Sequence, residues 1–450
     1  MRRILHVWWP LALSWLLMSL EGPAHSAIVA RLTDAEINLA AWGGIVFPIA
    51  LIIESPIVML LPASTALSKD WRSYAKLRRF MLVAAATLTG LHVLIAFTPL
   101  YDVIARHLFG APEAIIEPGR LGLMIMTPWS AAIAYRRFQQ GTMIRFGHSK
   151  AVGFGTLIRL TANGIVLLGG YLIGSIPGII VASTAVATGV TAEAVFAGLR
   201  VRPIVERQVR TAPQATEELT ARSFLAFYTP LALTALMSFF VSPVGSAAIS
   251  RMPNALASLA VWPVISGLVF MLRSPCTAYN EVVVALLDEP GALAALRRFA
   301  RYLGIGSTLA AMAVAFTPLS MLVLKRIMAL PPHLLDLGQS ALWLSVVLPV
   351  LVLLQSWFQG AMVAHKQTRG ISEAVTLYLL MICAILGAGV LLQEITGLYV
   401  SLAALGMAGS LQALWLWHRS RPAFAVAEAR DREMSQRQRN GAAASRGTGS

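Results

Sequence analysis

The chain alternates between long apolar blocks and short polar connections. Twelve blocks stand out, at approximately 5–31, 39–67, 80–100, 120–144, 151–173, 178–199, 224–249, 255–287, 302–324, 339–363, 371–392 and 397–417. Most are about 20 residues or longer, the length a helix needs to cross a hydrocarbon core about 30 Å thick. Lipid offers no partner to an unpaired backbone group, so each block is predicted to be helical. The pattern therefore predicts an all-α polytopic membrane protein.

A second, slower period runs through the blocks. "WPLAL" at Trp9 returns as "TPLAL" at Thr229, Arg31 returns as Arg251, and "ESP" at Glu54 returns as "RSP" at Arg273. "LRRF" at Leu77 returns at Leu296, "AFTPL" at Ala96 returns at Ala315, and "QGTM" at Gln140 returns as "QGAM" at Gln359. The offset stays at 219 or 220, so the matches form one internal repeat. It predicts two tandem six-helix lobes, related by a pseudo-twofold along the membrane normal because six is even. The expected divisions are an N-terminal lobe at 1–199, a linker at 200–222, a C-terminal lobe at 223–418 and a basic, disordered tail at 419–450.

The repeat also decides how the first block is read. "LMSLEGPAHSA" follows Arg2, Arg3 and an apolar run, and its small residues have the spacing of a signal-peptide cleavage site. Its repeat partner, "MSFFVSPVGSA", lies mid-chain and keeps the proline and small residues. The stretch is expected to be a bent membrane helix. The partner lacks the titratable pair: Glu21 becomes Val241 and His25 becomes Gly245.

Composition agrees. The 450 residues are 57% hydrophobic and 13% charged, about half the charge of an ordinary soluble domain. The net charge of +15 does not point to nucleic acid, because the basic residues collect in alternate loops, such as "SKDWRSYAKLRR", "RVRPIVERQVR", "LRRFAR" and "HKQTRG", and in the tail. Positive-inside bias then places both termini in the cytoplasm of a multi-pass cell (inner) membrane protein. Cys276 and Cys383 both lie inside apolar blocks, and no Cys/His spacing suggests a metal. Neither a phosphate-binding GxxxxGK[ST] loop nor an HExxH or GxSxG motif occurs. No cofactor, metal or enzymatic activity is expected.

Two six-helix halves, a proline-bent first helix, and "FQQGTMIRFGHSK" and "WFQGAMVAHKQT" after blocks 4 and 10 resemble the MATE-like flippase superfamily. "WWPLAL" with a polar first helix is most similar to its progressive ankylosis group. The resemblance covers about 1–420. It implies alternating access of two lobes around a central cavity, as a monomer, with the substrate left open.

Ionisable residues inside the blocks supply the candidate site, since a charge at mid-bilayer costs about 3 kcal/mol even on a lenient scale. Ser14, Met18, Glu21 and His25 share one face of the first helix. Glu54 and its repeat counterpart Arg273 occupy matching positions, as a gate pair or split substrate site. Asn280 continues the Arg273 face. Arg159 lies in block 5, and one of Arg136 and Arg137 is expected to face the cavity while the other snorkels. Glu193 has the position of a helix-end cap. Arginines outnumber acids among the candidates, and guanidinium suits carboxylate and phosphate. The expected activity is ion-gradient-coupled secondary transport of a small anionic or amphipathic solute, with H+ or Na+ as the coupling ion and Glu21 or Glu54 as the coupling acid. A lipid-linked saccharide flippase and a multidrug/proton antiporter of the same fold are the alternatives.

Overall fold

The computed structural model describes residues 1–214, 218–289, 291–365 and 369–447. Part of the linker (215–217), part of "HKQTRG" (366–368) and the last three tail residues lie outside the described residues. Twelve helical segments follow one another. They are α1 (Arg2–Val29), α2 (Ala35–Glu54, continued as Leu60–Leu67), α3 (Trp71–Phe97) and α4 (Ile116–Ile125 and Pro128–Arg145). Next come α5 (Ser149–Ile173), α6 (Gly178–Val209), α7 (Ala221–Ile249) and α8 (Ala255–Leu286). The last four are α9 (Ala292–Phe316), α10 (Pro332–Ala364), α11 (Arg369–Leu392) and α12 (Gly397–Gly447). Among the described residues, eleven are long and apolar enough to cross a membrane. The twelfth, α4, is divided at Met126 and Thr127 and carries Arg120, Arg136, Arg137 and Arg145. The last helix does not stop at 418. It runs on through the segment expected to be a disordered tail, and Arg430 donates to the carbonyls of Leu287 and Glu289 there.

The two lobes repeat each other's packing. In the first, α5 lies on α6, and α4 lies on α6 and α2; in the second, α11 lies on α12, and α10 lies on α12 and α8. The turns repeat as well. Left-handed backbone occurs at Asp34 and Asn254, Gly110 and Ala329, and Gly174 and Gln393, three pairs at the repeat offset. Only two of these six are in fact paired by a shared preference for such turns, Asp and Asn, whose short polar side chains tolerate the conformation; Ala329 and Gln393 hold it where the first lobe uses glycine.

The lobes differ in how they answer their prolines. Pro23 lacks the N–H that would reach the Ser19 carbonyl, and α1 breaks at Leu20. Pro56 removes the donor for the Ile52 carbonyl; the Ser55 hydroxyl takes its place at 2.8 Å, and α2 opens into a turn after Glu54. The same Ser–Pro pair recurs in α8, where the Ser274 hydroxyl caps the Met271 carbonyl at 2.9 Å, yet α8 runs unbroken for 32 residues. The breaks in the backbone of these paired helices are thus in α1 and α2.

Between the lobes, α8 packs on both α1 and α2. A side chain on Gly43 would meet the Pro263 ring at 2.7 Å, so glycine is required for this close approach. The inner half of α1 leaves its own lobe: Ile4 joins Tyr279, Phe299 and Trp357 in one buried cluster, and Trp8 Nε1 donates to the Pro275 carbonyl at 3.0 Å.

At the end remote from the basic loops, the outer end on the charge pattern, two arginines clasp the lobes. Arg31 donates to the carbonyls of Arg326 (2.6 Å) and Ile327 (2.9 Å) in the opposite lobe. Arg251, its repeat partner, donates to His107 (2.7 Å), Leu108 (2.9 Å) and Phe109 (2.9 Å). Each guanidinium therefore reaches the carbonyls at the end of the matching wide-turn helix, Leu322–Ile327 or Ile104–Leu108.

Candidate functional site

Two cavities, one between the lobes and one within the second lobe, lie side by side and share Trp262, Ser266 and Arg273 of α8. The first-lobe cavity, of about 530 Å³, is bounded by Glu21, His25 and Trp42 from α1 and α2 and by Arg159 from α5. The second-lobe cavity, of about 370 Å³, is bounded by Gln355, Tyr378 and Gln412 from α10, α11 and α12.

The first lobe is held by a network of buried charges. Glu193, fully buried on α6, is its centre. It accepts from Arg136 Nη1 at 2.5 Å and from Gln140 Nε2 at 2.8 Å, and Arg159 Nε lies 3.3 Å from it. Arg159 Nη1 in turn meets Glu21 at 2.7 Å, and Asn163 donates to the other Glu21 oxygen at 2.6 Å. Four helices, α1, α4, α5 and α6, are joined by this chain. Buried charges survive only when paired and hydrogen-bonded, and here most are. His25 stacks on Trp42 and takes the Glu21 carbonyl through Nδ1 at 2.7 Å, leaving Nε2 buried without a partner.

Glu54 does not meet Arg273. It is buried among Trp129, Arg136, Arg137 and Arg159, makes no ion pair among the described residues, and leaves Oε2 without a partner. Because α2 opens just after it, Glu54 turns into its own lobe rather than across the cleft. Arg137 is half-buried beside it and also has no ion pair among the described residues. Asn280, expected on the cavity face, instead donates to the Ser356 carbonyl at 3.2 Å and ties α8 to α10. It lies two helical turns below Arg273, about 10 Å along the axis. His92 is a packed residue whose Nε2 meets the Leu123 carbonyl at 2.9 Å.

Reasoning from the sequence assigned Glu193 to a cap, and it is the centre of the network. It also missed Gln140, Tyr378 and Gln412. The repeat holds the signal that finds them. At the offset of 219, Arg136, Arg159 and Glu193 correspond to Gln355, Tyr378 and Gln412. A polar residue at the same place in both lobes marks a position facing the same side of each. The second lobe is therefore a neutral copy of the first, with one exception. At the Glu54 position it carries Arg273, whose guanidinium makes no ion pair or hydrogen bond among the described residues and lies over the Phe270 ring at 5.3 Å.

The fold is similar to that of solved MATE transporters and of a lipid flippase. A multidrug resistance MATE family transporter of the MOP superfamily in its inward-facing conformation superposes with a TM-score of 0.67 at 15% identity, covering 93% of this chain and 98% of that one. The lipid II flippase MurJ, inward closed, gives 0.64 at 13% identity over 93% of this chain and 91% of that one. A MATE transporter in an outward-facing conformation gives 0.58 at 15% identity over 95% of this chain and 96% of that one. No family model and no curated protein matches the sequence.

Proposed function

We propose that the protein is a secondary transporter that moves a small amphipathic anion by alternating access of its two lobes. The observation that carries the reading is Arg273, an unpaired guanidinium shared by both cavities, with no carboxylate on the wall of the second. Arginine is a fixed charge whose planar fork matches a carboxylate or phosphate. Around it the second cavity offers neutral hydrogen-bonding groups and apolar surface such as Leu351 and Leu405, which suits an anion with an apolar body. In the first cavity the one bounding acid, Glu21, is already engaged by Arg159.

Cavities of about 370 and 530 Å³ fit a small solute better than the headgroup of a lipid-linked oligosaccharide. The arginine clasps at the end remote from the basic loops support a conformation closed at that end. Glu54 is the acid assigned to coupling. A change in its charge is not absorbed by a fixed salt bridge, whereas Glu21 and Glu193 are committed to theirs.

The test is transport in proteoliposomes, with organic carboxylates, organic phosphates and cationic dyes, with and without pH and sodium gradients. Arg273→Gln is expected to lower transport of the preferred anion at least about tenfold, equivalent to about 1.4 kcal/mol, with an unchanged melting temperature. Wild-type anion transport by that variant, or transport of the cations alone, overturns the proposal.

A further inference from the structure

A third concavity lies away from the lobe interface, on the lipid-facing side of α9, α10 and α12. It holds about 800 Å³ and runs along α9 from Arg297 to Leu309. Twelve helical steps measure about 18 Å, a little more than half the hydrocarbon core, so the groove spans one leaflet. Gly304 opens its floor, and its walls are apolar, with Leu353, Trp357 and Trp417 among them.

Its polar end is rich in arginine. Arg297 is engaged by Glu428 at 2.6 Å. Arg301 is exposed and has no hydrogen bond or ion pair among the described residues. Arg421 lies 4.1 Å above the Trp417 ring and likewise has no acidic partner among the described residues. Arg421 lies four residues after Trp417 and three before Phe424, so it shares the α12 face that lines the groove, and stacking leaves its N–H groups free. One leaflet-length apolar channel thus ends at two uncompensated arginines.

We infer that this groove is a specific site for an anionic phospholipid of the leaflet on the basic-loop side. The acyl chain lies along α9 and the headgroup phosphate is held between Arg301 and Arg421. Any bilayer puts a chain against this face; the arginines add selection for headgroup charge. Two basic side chains near a membrane surface favour an anionic over a zwitterionic headgroup by roughly tenfold or more.

The experiment titrates the purified full chain with phosphatidylglycerol and with phosphatidylcholine of identical acyl chains, and counts bound lipid by native mass spectrometry. Wild type is expected to prefer phosphatidylglycerol about tenfold. Arg301→Gln/Arg421→Gln is expected to bring the two lipids to parity, and Arg301→Lys/Arg421→Lys to keep most of the preference. A control, Arg72→Gln/Arg78→Gln, removes two basic residues of α3, outside the groove, and is expected to change nothing. Equal binding of both lipids by wild type, or an equal loss of preference in the α3 control, overturns the site.

Discussion

The outer clasps make a quantitative prediction. Arg31 and Arg251 each hold two kinds of bond. The bonds to their own helices, to Ala27 at 2.6 Å and to Ala247 at 2.8 Å, survive any lobe movement. The bonds across the interface, two for Arg31 and three for Arg251, break when the outer end opens. A hydrogen bond to a charged group contributes about 1.5–3 kcal/mol, but these groups are partly exposed and regain water on opening. Taking about 0.5–1 kcal/mol per bond gives about 1–2 kcal/mol for Arg31 and about 1.5–3 kcal/mol for Arg251. Removing both would then shift the closed–open equilibrium by about 2.5–5 kcal/mol, or roughly 10² to 10³-fold and more. The assay is a spin-label distance across the outer end, between Leu172 and Leu391, both well exposed, in a Cys383→Ser background. Arg31→Ala should lengthen part of the distribution, Arg251→Ala more of it, and the double variant most of it. Arg251→Lys keeps the charge but loses the fork, and should fall between wild type and Arg251→Ala. A folded double variant with a wild-type distance distribution would refute the idea that these bonds hold the outer end shut.

Two further predictions concern stability, read by thermal unfolding of the purified protein. Glu193→Gln leaves Arg136 buried without its partner and should cost about 3–5 kcal/mol. Changing both residues to their second-lobe counterparts, Glu193→Gln with Arg136→Gln, should recover much of that loss; equal or greater loss in the double variant would show that the second lobe is no guide to the first. Ala329→Gly relieves a left-handed alanine and should gain up to about 1 kcal/mol. Gly110→Ala, at the matching turn and within 3.1 Å of Arg251, should lose about 1–2 kcal/mol; a gain there would contradict the turn assignment.

The architecture was legible because the bilayer leaves the backbone few options and because the repeat labels each helix twice. All twelve blocks were read from apolar length; in α4, which carries arginines, the alignment with α10 placed Arg136 and Arg137 inside the block. The site was legible in part. Glu21, His25, Arg136 and Arg159 stand out as charges or imidazole inside apolar blocks, and the structure brings them together. Glu193 did not stand out, because a lone acid near a helix end is more often solvated than buried. The direction of Glu54 was hidden for a different reason. Identical Ser–Pro pairs follow Glu54 and Arg273, and both serines rescue the freed carbonyl, yet only α2 opens. Since the Ser–Pro pair is the same at both sites, it does not carry the difference.

The inner half of α1 gives the repeat a further meaning. By sequence it is the first element of the first half, but Ile4 is buried among helices of the second, and Val7, Trp8 and Leu11 pack against the same cluster. The two halves are therefore joined twice, once by the peptide chain between α6 and α7 and once by this arm strapped across α8. A single cut between Val209 and Ala221 would sever the covalent tie and leave the strap in place. What was duplicated in the sequence is therefore not mirrored by two separate packing units: the first segment of one half finishes a cluster of the other.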